Sequence, residues 1–240
     1  MDIQPIQVQS LKQACIDQLE QMILSGELKI GERLPSEREF AARLNVSRPV
    51  LHQALVELET RGLVDIVPRR GVYISDFRRE GSLAMLSSLL NYHNGSLGPD
   101  FSQSMLDMRQ LLETETARLA AQNRTDEQLE WLKYLLDREM AATGDSPEAL
   151  TAFDFEFHLS IAICSGNLVY PMMINSFKEV YTSLTGIFFQ EYFSTGVVAD
   201  VHHFHIKLVD AIADQDPDTA AQTMSEMLMH GEGYLKGVQE

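Results

Sequence analysis

Asp154 and His158 stand four residues apart in a segment of helical periodicity, so both side chains project from one face and could bind one metal ion. His205 falls on the stripe Val201, His205, Leu208 and Ile212 of a later helix, which turns it inward, whereas His203 shares a face with Lys207, Asp210 and Asp214 and belongs in solvent. An inward histidine in a helical bundle is more often a satisfied core residue than a ligand. Three inward groups of metal-ligand type weigh on the other side. A second chemistry is carried by arginines within residues 34–74. Arg48 offers the paired donors that match a guanine edge, Arg38 suits a phosphate, and Arg69 with Arg70 could enter a minor groove or grip the backbone.

The elements that would position these arginines are legible around them. Ser36 stands three residues before Glu39, a capping box that starts a helix near Glu37, with Phe40, Ala41 and Leu44 at helical spacing and Asn45 as its end. Ser47 can cap a second helix, Pro49 is tolerated in its first turn, Leu51, Ala54, Leu55 and Leu58 form its inward stripe, and Gly62 stops it. Two β-branched runs, Val64 to Val67 and Val72 to Ser75, flank Pro68-Arg69-Arg70-Gly71 as strand, turn and strand. An earlier helix from Val8 to Ser25, with Leu11, Cys15, Leu19 and Ile23 inward, completes the small core. This is a winged helix-turn-helix, on which the exposed start of the second helix meets base edges. The expected DNA-contacting set is therefore Arg38, Ser47, Arg48, Val50, His52, Arg69, Arg70 and Gly71. Any one of these arginines alone reads as solvated surface; their grouping at the presenting edge of the motif does not.

Length and charge divide the chain. At 240 residues two domains are expected: a winged domain over 1–76, a linker over 77–81 and an all-helical sensing and dimerisation domain over 82–240. Residues 1–80 hold 11 Lys/Arg against 12 Asp/Glu, and the remainder holds 8 against 23, so nearly all of the net charge of −16 lies in the second part. That part would repel DNA, yet the cations are concentrated where the motif sits. Beyond the linker, apolar periods are separated by Asn94-Gly95, Gly144-Asp145 and Asp214 to Asp218, which reads as a bundle of six or seven helices in a mostly α protein. No apolar run approaches a membrane span and no signal-peptide layout opens the chain, so a soluble cytoplasmic protein is expected. Cys15 and Cys164 read as buried free thiols.

The motifs LPSER, VSR, the leucine-rich helix, GL and the glycine-bearing wing resemble the DNA-binding domain of GntR-family bacterial transcription regulators, over about residues 8–76. Arginine is usual in that family where this chain carries His52. Residues 100–235 resemble the FCD ligand-sensing domain of the FadR subfamily: Arg109 and Glu113 in MRQLLETETARLAA, then DFEFH, then Ser165 to Asn167, then HIKLVDAI. The resemblance implies that Asp154, His158 and His205 hold a divalent ion (zinc, nickel or manganese), and that Arg109, with Asn167 nearby, captures a small carboxylate effector. A third histidine is implied about 22 residues after His205. Met227 stands there, with His230 three residues later as its substitute. Arg109 could instead be an i,i+4 partner of Glu113 on a helix surface.

These readings converge on a dimeric regulator that binds a palindromic double-stranded operator and answers to a small organic or sugar acid on a metal. The segment from Ser165 to Phe193 is also similar to the corresponding helix of fatty-acid-responsive FadR members, which implies an acyl-CoA effector without metal. Met172, Met173, Phe177, Phe188, Phe189, Met224, Met227 and Met229 would then line a pliable cavity. Two other classes compete: a metal-dependent hydrolase built on Asp154, His158 and His205, which lacks a nucleophile or base motif, and a winged helix that docks protein instead of DNA.

Overall fold

The computed structural model describes residues 10–82, 85, 99–142 and 146–239. The chain divides into two compact units, 1–95 and 96–240. The turns expected at Asn94-Gly95 and Gly144-Asp145 lie outside the described residues, as does the expected helix start at Val8.

The first unit runs α1 (Leu11–Leu24), α2 (Glu37–Arg43), α3 (Arg48–Thr60), β1 (Val64–Val67), β2 (Gly71–Ile74) and a single turn α4 (Phe77–Glu80). Ser36 Oγ accepts from Glu39 N at 3.3 Å and starts α2. The reciprocal half of the expected box is not used: the Glu39 carboxylate takes Arg43 Nη2 at 2.6 Å. Asn45 ends the helix with φ +54, and Gly62 ends α3 with φ +78. No other residue suits position 62, because a Cβ there would lie 2.0 Å from Glu80 O, where α4 folds back over the end of α3. Thus a helical turn occupies the stretch expected to be linker. β1 and β2 pair antiparallel with Val64 opposite Ile74, and Arg33 bridges to Tyr73 along the other edge.

The core of this unit gathers Cys15, Ile16, Leu19 and Ile23 of α1 with Leu51, Ala54, Leu55 and Leu58 of α3 and Val64, Val72 and Ile74 of the hairpin. Leu11, expected inward, is 62% exposed, and Ile16 takes its place. Leu11 is the first residue of α1, whereas Cys15 and Ile16, further along the helix, join the core shared with α3. Glu20, almost fully buried, receives Arg61 Nη1 at 2.6 Å, and Lys12 reaches Glu57 Oε2 at 3.1 Å, so charge as well as packing joins the two helices.

The second unit has seven helices among the described residues: α5 (Pro99–Asn123), α6 (Asp126–Ala142), α7 (Pro147–Cys164), α8 (Val169–Ser176), α9 (Lys178–Tyr192), α10 (Val197–Ala213) and α11 (Pro217–Gln239). The expected turn covers Asp214 to Asp216, with Gln215 at φ +55, and Pro217 and Asp218 already open α11. One core joins Ala117, Ala120, Leu132, Leu135, Phe157, Ile161, Leu208, Ile212 and Met224, and a second joins Leu150, Phe188, Phe189, Val198, Val201 and Leu235. α7 is apolar on almost every side, as a central helix must be, and Asp154 and His158 ride on it. Cys15 and Cys164 are free and buried, one in each unit, and burial pushes the Cys164 thiol up to about 11. No described helix is long and apolar enough to cross a membrane.

Candidate metal centre and nucleic-acid interface

α7 places Asp154 and His158 one turn apart, and α10 brings His205 against them; one ligand atom from each lies within 4.8 Å of the other two. Asp154 Oδ1 is 3.8 Å from His158 Nε2 and 3.9 Å from His205 Nε2. All three residues are buried, His205 completely. The rear nitrogen of each ring faces a carboxylate. His205 Nδ1 meets Glu139 Oε1 from α6 at 2.8 Å, and His158 Nδ1 meets Glu113 Oε2 from α5 at 2.5 Å. A carboxylate only accepts, so His205 Nδ1 carries the hydrogen and its Nε2 is left as the acceptor on the side of Asp154; His158 Nδ1 lies beside Glu113 in ion-pair contact but without hydrogen-bond geometry. His205 Nε2 is buried with no hydrogen-bond partner, which is costly unless something else fills the gap.

Charge points the same way. Glu113, Asp154, Glu139 and Arg109 are all buried, three carboxylates against one guanidinium, which leaves two formal negative charges when the imidazoles are neutral. Burial opposes ionisation of Glu113, but Arg109 and His158 overcome it and hold its carboxyl down at about 2. Burial likewise opposes ionisation of Glu139, and His205 with His202 outweighs it, so its pKa is lowered. The donor set, one carboxylate and two imidazoles with carboxylates behind the rings, fits a divalent ion such as zinc or manganese.

Arg109 is not on a helix surface. It is buried, donates through Nε to Glu113 Oε1 at 2.7 Å and through Nη2 to the Tyr181 hydroxyl at 2.9 Å, and stacks over that ring at 4.0 Å. Tyr181 in turn donates to Asp154 Oδ2 at 3.0 Å, and burial raises its pKa well above the usual value. A cavity of about 50 Å³ opens beside Arg109, Asp154 and His158, walled by Phe188, Phe189, Val201 and Met227. Glu139, Tyr181 and His202, whose Nδ1 takes the second Glu139 oxygen at 2.7 Å, had no expected role. Only the inward stripe carrying His205 could have prompted a search for a carboxylate behind it.

Other expectations meet different surroundings. His230 is apart from the trio, its Nε2 lying 3.9 Å from Asp200 Oδ2, because its face of α11 turns toward Phe204 and Tyr234. Met227, one turn earlier, lines the cavity together with Leu228, Glu232 and Leu235 of the same helix. Asn167 does not line that cavity; its Oδ1 accepts from Val169 N at 2.8 Å and tethers the start of α8. Met172 and Met229 are 70% and 54% exposed, so the proposed lipid-lining methionines do not share one interior.

In the first unit, Ser47, Arg48 and His52 are exposed at the start of α3, and Arg38, Arg69 and Arg70 are exposed on α2 and the wing tip. Val50 is half-buried and packs against the core instead of projecting freely. Ser47 stands at the N-cap but makes no side-chain cap bond. Arg69 adopts φ +64 and Gly71 φ +120, the turn that sets the wing tip. Arg43, Arg61, Arg78 and Arg79 are paired with acids, whereas Arg33, Arg38, Arg48, Arg69 and Arg70 form no ion pair among the described residues. Arg33, which had no expected role, lies across the wing: a Cβ on Gly71 would come within 3.0 Å of its Nε.

Residues 11–74 match the pattern of bacterial regulatory proteins of the gntR family, and residues 104–230 match the FCD domain. The HTH-type transcriptional regulator Mce2R of Mycobacterium tuberculosis is 30% identical over 95% of this chain and 92% of its own length. The HTH-type transcriptional repressor NanR of Cronobacter sakazakii is 30% identical over 93% of this chain and 85% of its own. Among solved structures, E. coli McbR/YncC superposes with a TM-score of 0.55 at 18% identity, covering 97% of this chain and all of that one. Listeria monocytogenes Lar superposes at 0.60 with 16% identity, covering 95% and 99%. At such identities these two likenesses speak for the fold.

Proposed function

This chain belongs to the gntR family of bacterial regulatory proteins and carries an FCD domain, and we propose that it is a dimeric, metal-assisted sensor of a small carboxylate that binds a palindromic operator. The observation that carries the DNA-binding half is the division of the arginines. Arg43, Arg61, Arg78 and Arg79 are paired with acids, and those at the exposed end of α3, on α2 and at the wing are left for phosphate and base edges. Two such units related by a twofold axis would meet two half-sites of matching symmetry.

In the second unit Asp154, His158 and His205 would hold the ion, Glu113 and Glu139 orient the two imidazoles, and Arg109 lines the cavity where an acid would sit. A divalent ion bound there would supply positive charge that attracts a carboxylate. Tyr181, bonded to both Arg109 and Asp154, couples the occupancy of that cavity to the packing of α9. The cavity supports a small acid over an acyl-CoA: about 50 Å³ admits a few water-sized groups, not an acyl chain. A hydrolase reading lacks a free base, since the nearest carboxylates are engaged behind the rings.

Selection from a random duplex pool tests the operator. Wild-type protein should enrich an inverted repeat, and Arg48→Ala should lose that enrichment while keeping its fold. Elemental analysis of untagged protein should find about one divalent ion per chain, removed in His158→Ala. Substoichiometric metal unaffected by that change would reject the metal.

A further inference from the structure

Arg48 and His52 lie four residues apart and share the exposed face at the start of α3. His52 is bound from behind: its Nδ1 is 3.1 Å from Glu37 Oε1, across the turn on α2, with the two side chains 53% and 24% exposed. A carboxylate offers no hydrogen, so Nδ1 must donate, and in the neutral ring Nε2 is left as a lone-pair acceptor. In a major groove the donors are adenine N6 and cytosine N4, while guanine N7 and O6 and thymine O4 all accept.

Resting on the DNA-binding reading above, we propose that His52 is a specificity-determining residue that accepts from an adenine or cytosine amino group, and that Glu37 sets this choice by fixing the ring's tautomer. An acceptor placed against guanine meets only acceptors. The pair thus rejects the base that an arginine at the same place would select. Arg38, next to Glu37 and exposed, offsets the repulsion between that carboxylate and nearby phosphates.

The test is sequencing of duplexes enriched from a random pool at alkaline pH, above the usual range for imidazole. Wild-type protein should show a column that disfavours guanine by about fivefold, the worth of one neutral hydrogen bond. His52→Ala should flatten that column and leave the others, and His52→Arg should turn it to guanine. Glu37→Gln, whose amide both donates and accepts, should free the ring to either tautomer and let guanine return there. Guanine in the wild-type column that His52→Ala erases, or a column unchanged by Glu37→Gln, overturns the inference alone. Enrichment of no sequence at all by the wild type would remove the DNA-binding reading, and this inference with it.

Discussion

Glu139 accepts from two histidines at once, and one of them thereby exposes a lone pair to the buried trio. Replacing it with glutamine keeps the shape but lets one amide hydrogen compete for an Nδ1 position. Glu139→Gln should weaken zinc or manganese binding by roughly 10- to 100-fold in calorimetric titration, with helical content unchanged. Equal affinity in the two proteins would mean that the carboxylate is structural only. Glu113 makes a different prediction. Its pKa in the folded chain, about 2, lies below the ordinary carboxylate value of about 4.3, so its ion pairs contribute stability above that value and lose it as pH falls toward 2. Thermal melts should therefore drop between about pH 5 and 2, and Glu113→Gln should start lower and fall less steeply. Parallel curves would refute the assignment.

Capping separates two serines that look alike in sequence. Ser36 bonds Glu39 N, so Ser36→Ala should cost about 1 kcal/mol of unfolding free energy. Ser47 makes no such bond, so Ser47→Ala should cost a few tenths of that or less in the same denaturant titration while reducing DNA affinity. The elements of the first unit were legible because their signals are local: a cap, a left-handed asparagine, a stop glycine and a β-branched hairpin each declare themselves within a few residues. Even there the α1 stripe slipped, since Leu11 and Ile16 both satisfy helical spacing and only the crossing with α3 decides between them. Asp154, His158 and His205 were legible from their helical faces. Glu139 and Tyr181 were not, because α6 and α9 carry them to the trio across long sequence separations, and no spacing rule encodes that meeting. His230 was misplaced for the converse reason: its helix was right and its face was not.

Across the whole molecule the charge is uneven, with a nearly neutral first unit and a second holding most of the −16. Binding to DNA should then depend on a few arginines against a repulsive background, and salt should expose it. Each phosphate contact adds about −0.9 to the slope of log affinity against log salt, so Arg69→Ala and Arg70→Ala should each flatten the slope by about that amount while the enriched sequence stays the same. A changed sequence with an unchanged slope would place those residues on bases. Each unit also conceals one sulfur, Cys15 in the first core and Cys164 in the second. A maleimide can reach either only when its own half of the chain opens, so peptide-resolved alkylation rates supply two independent clocks in unmodified protein. Slowing of the Cys164 clock by metal and acid, with the Cys15 clock unmoved, would show where the ligand's free energy is spent.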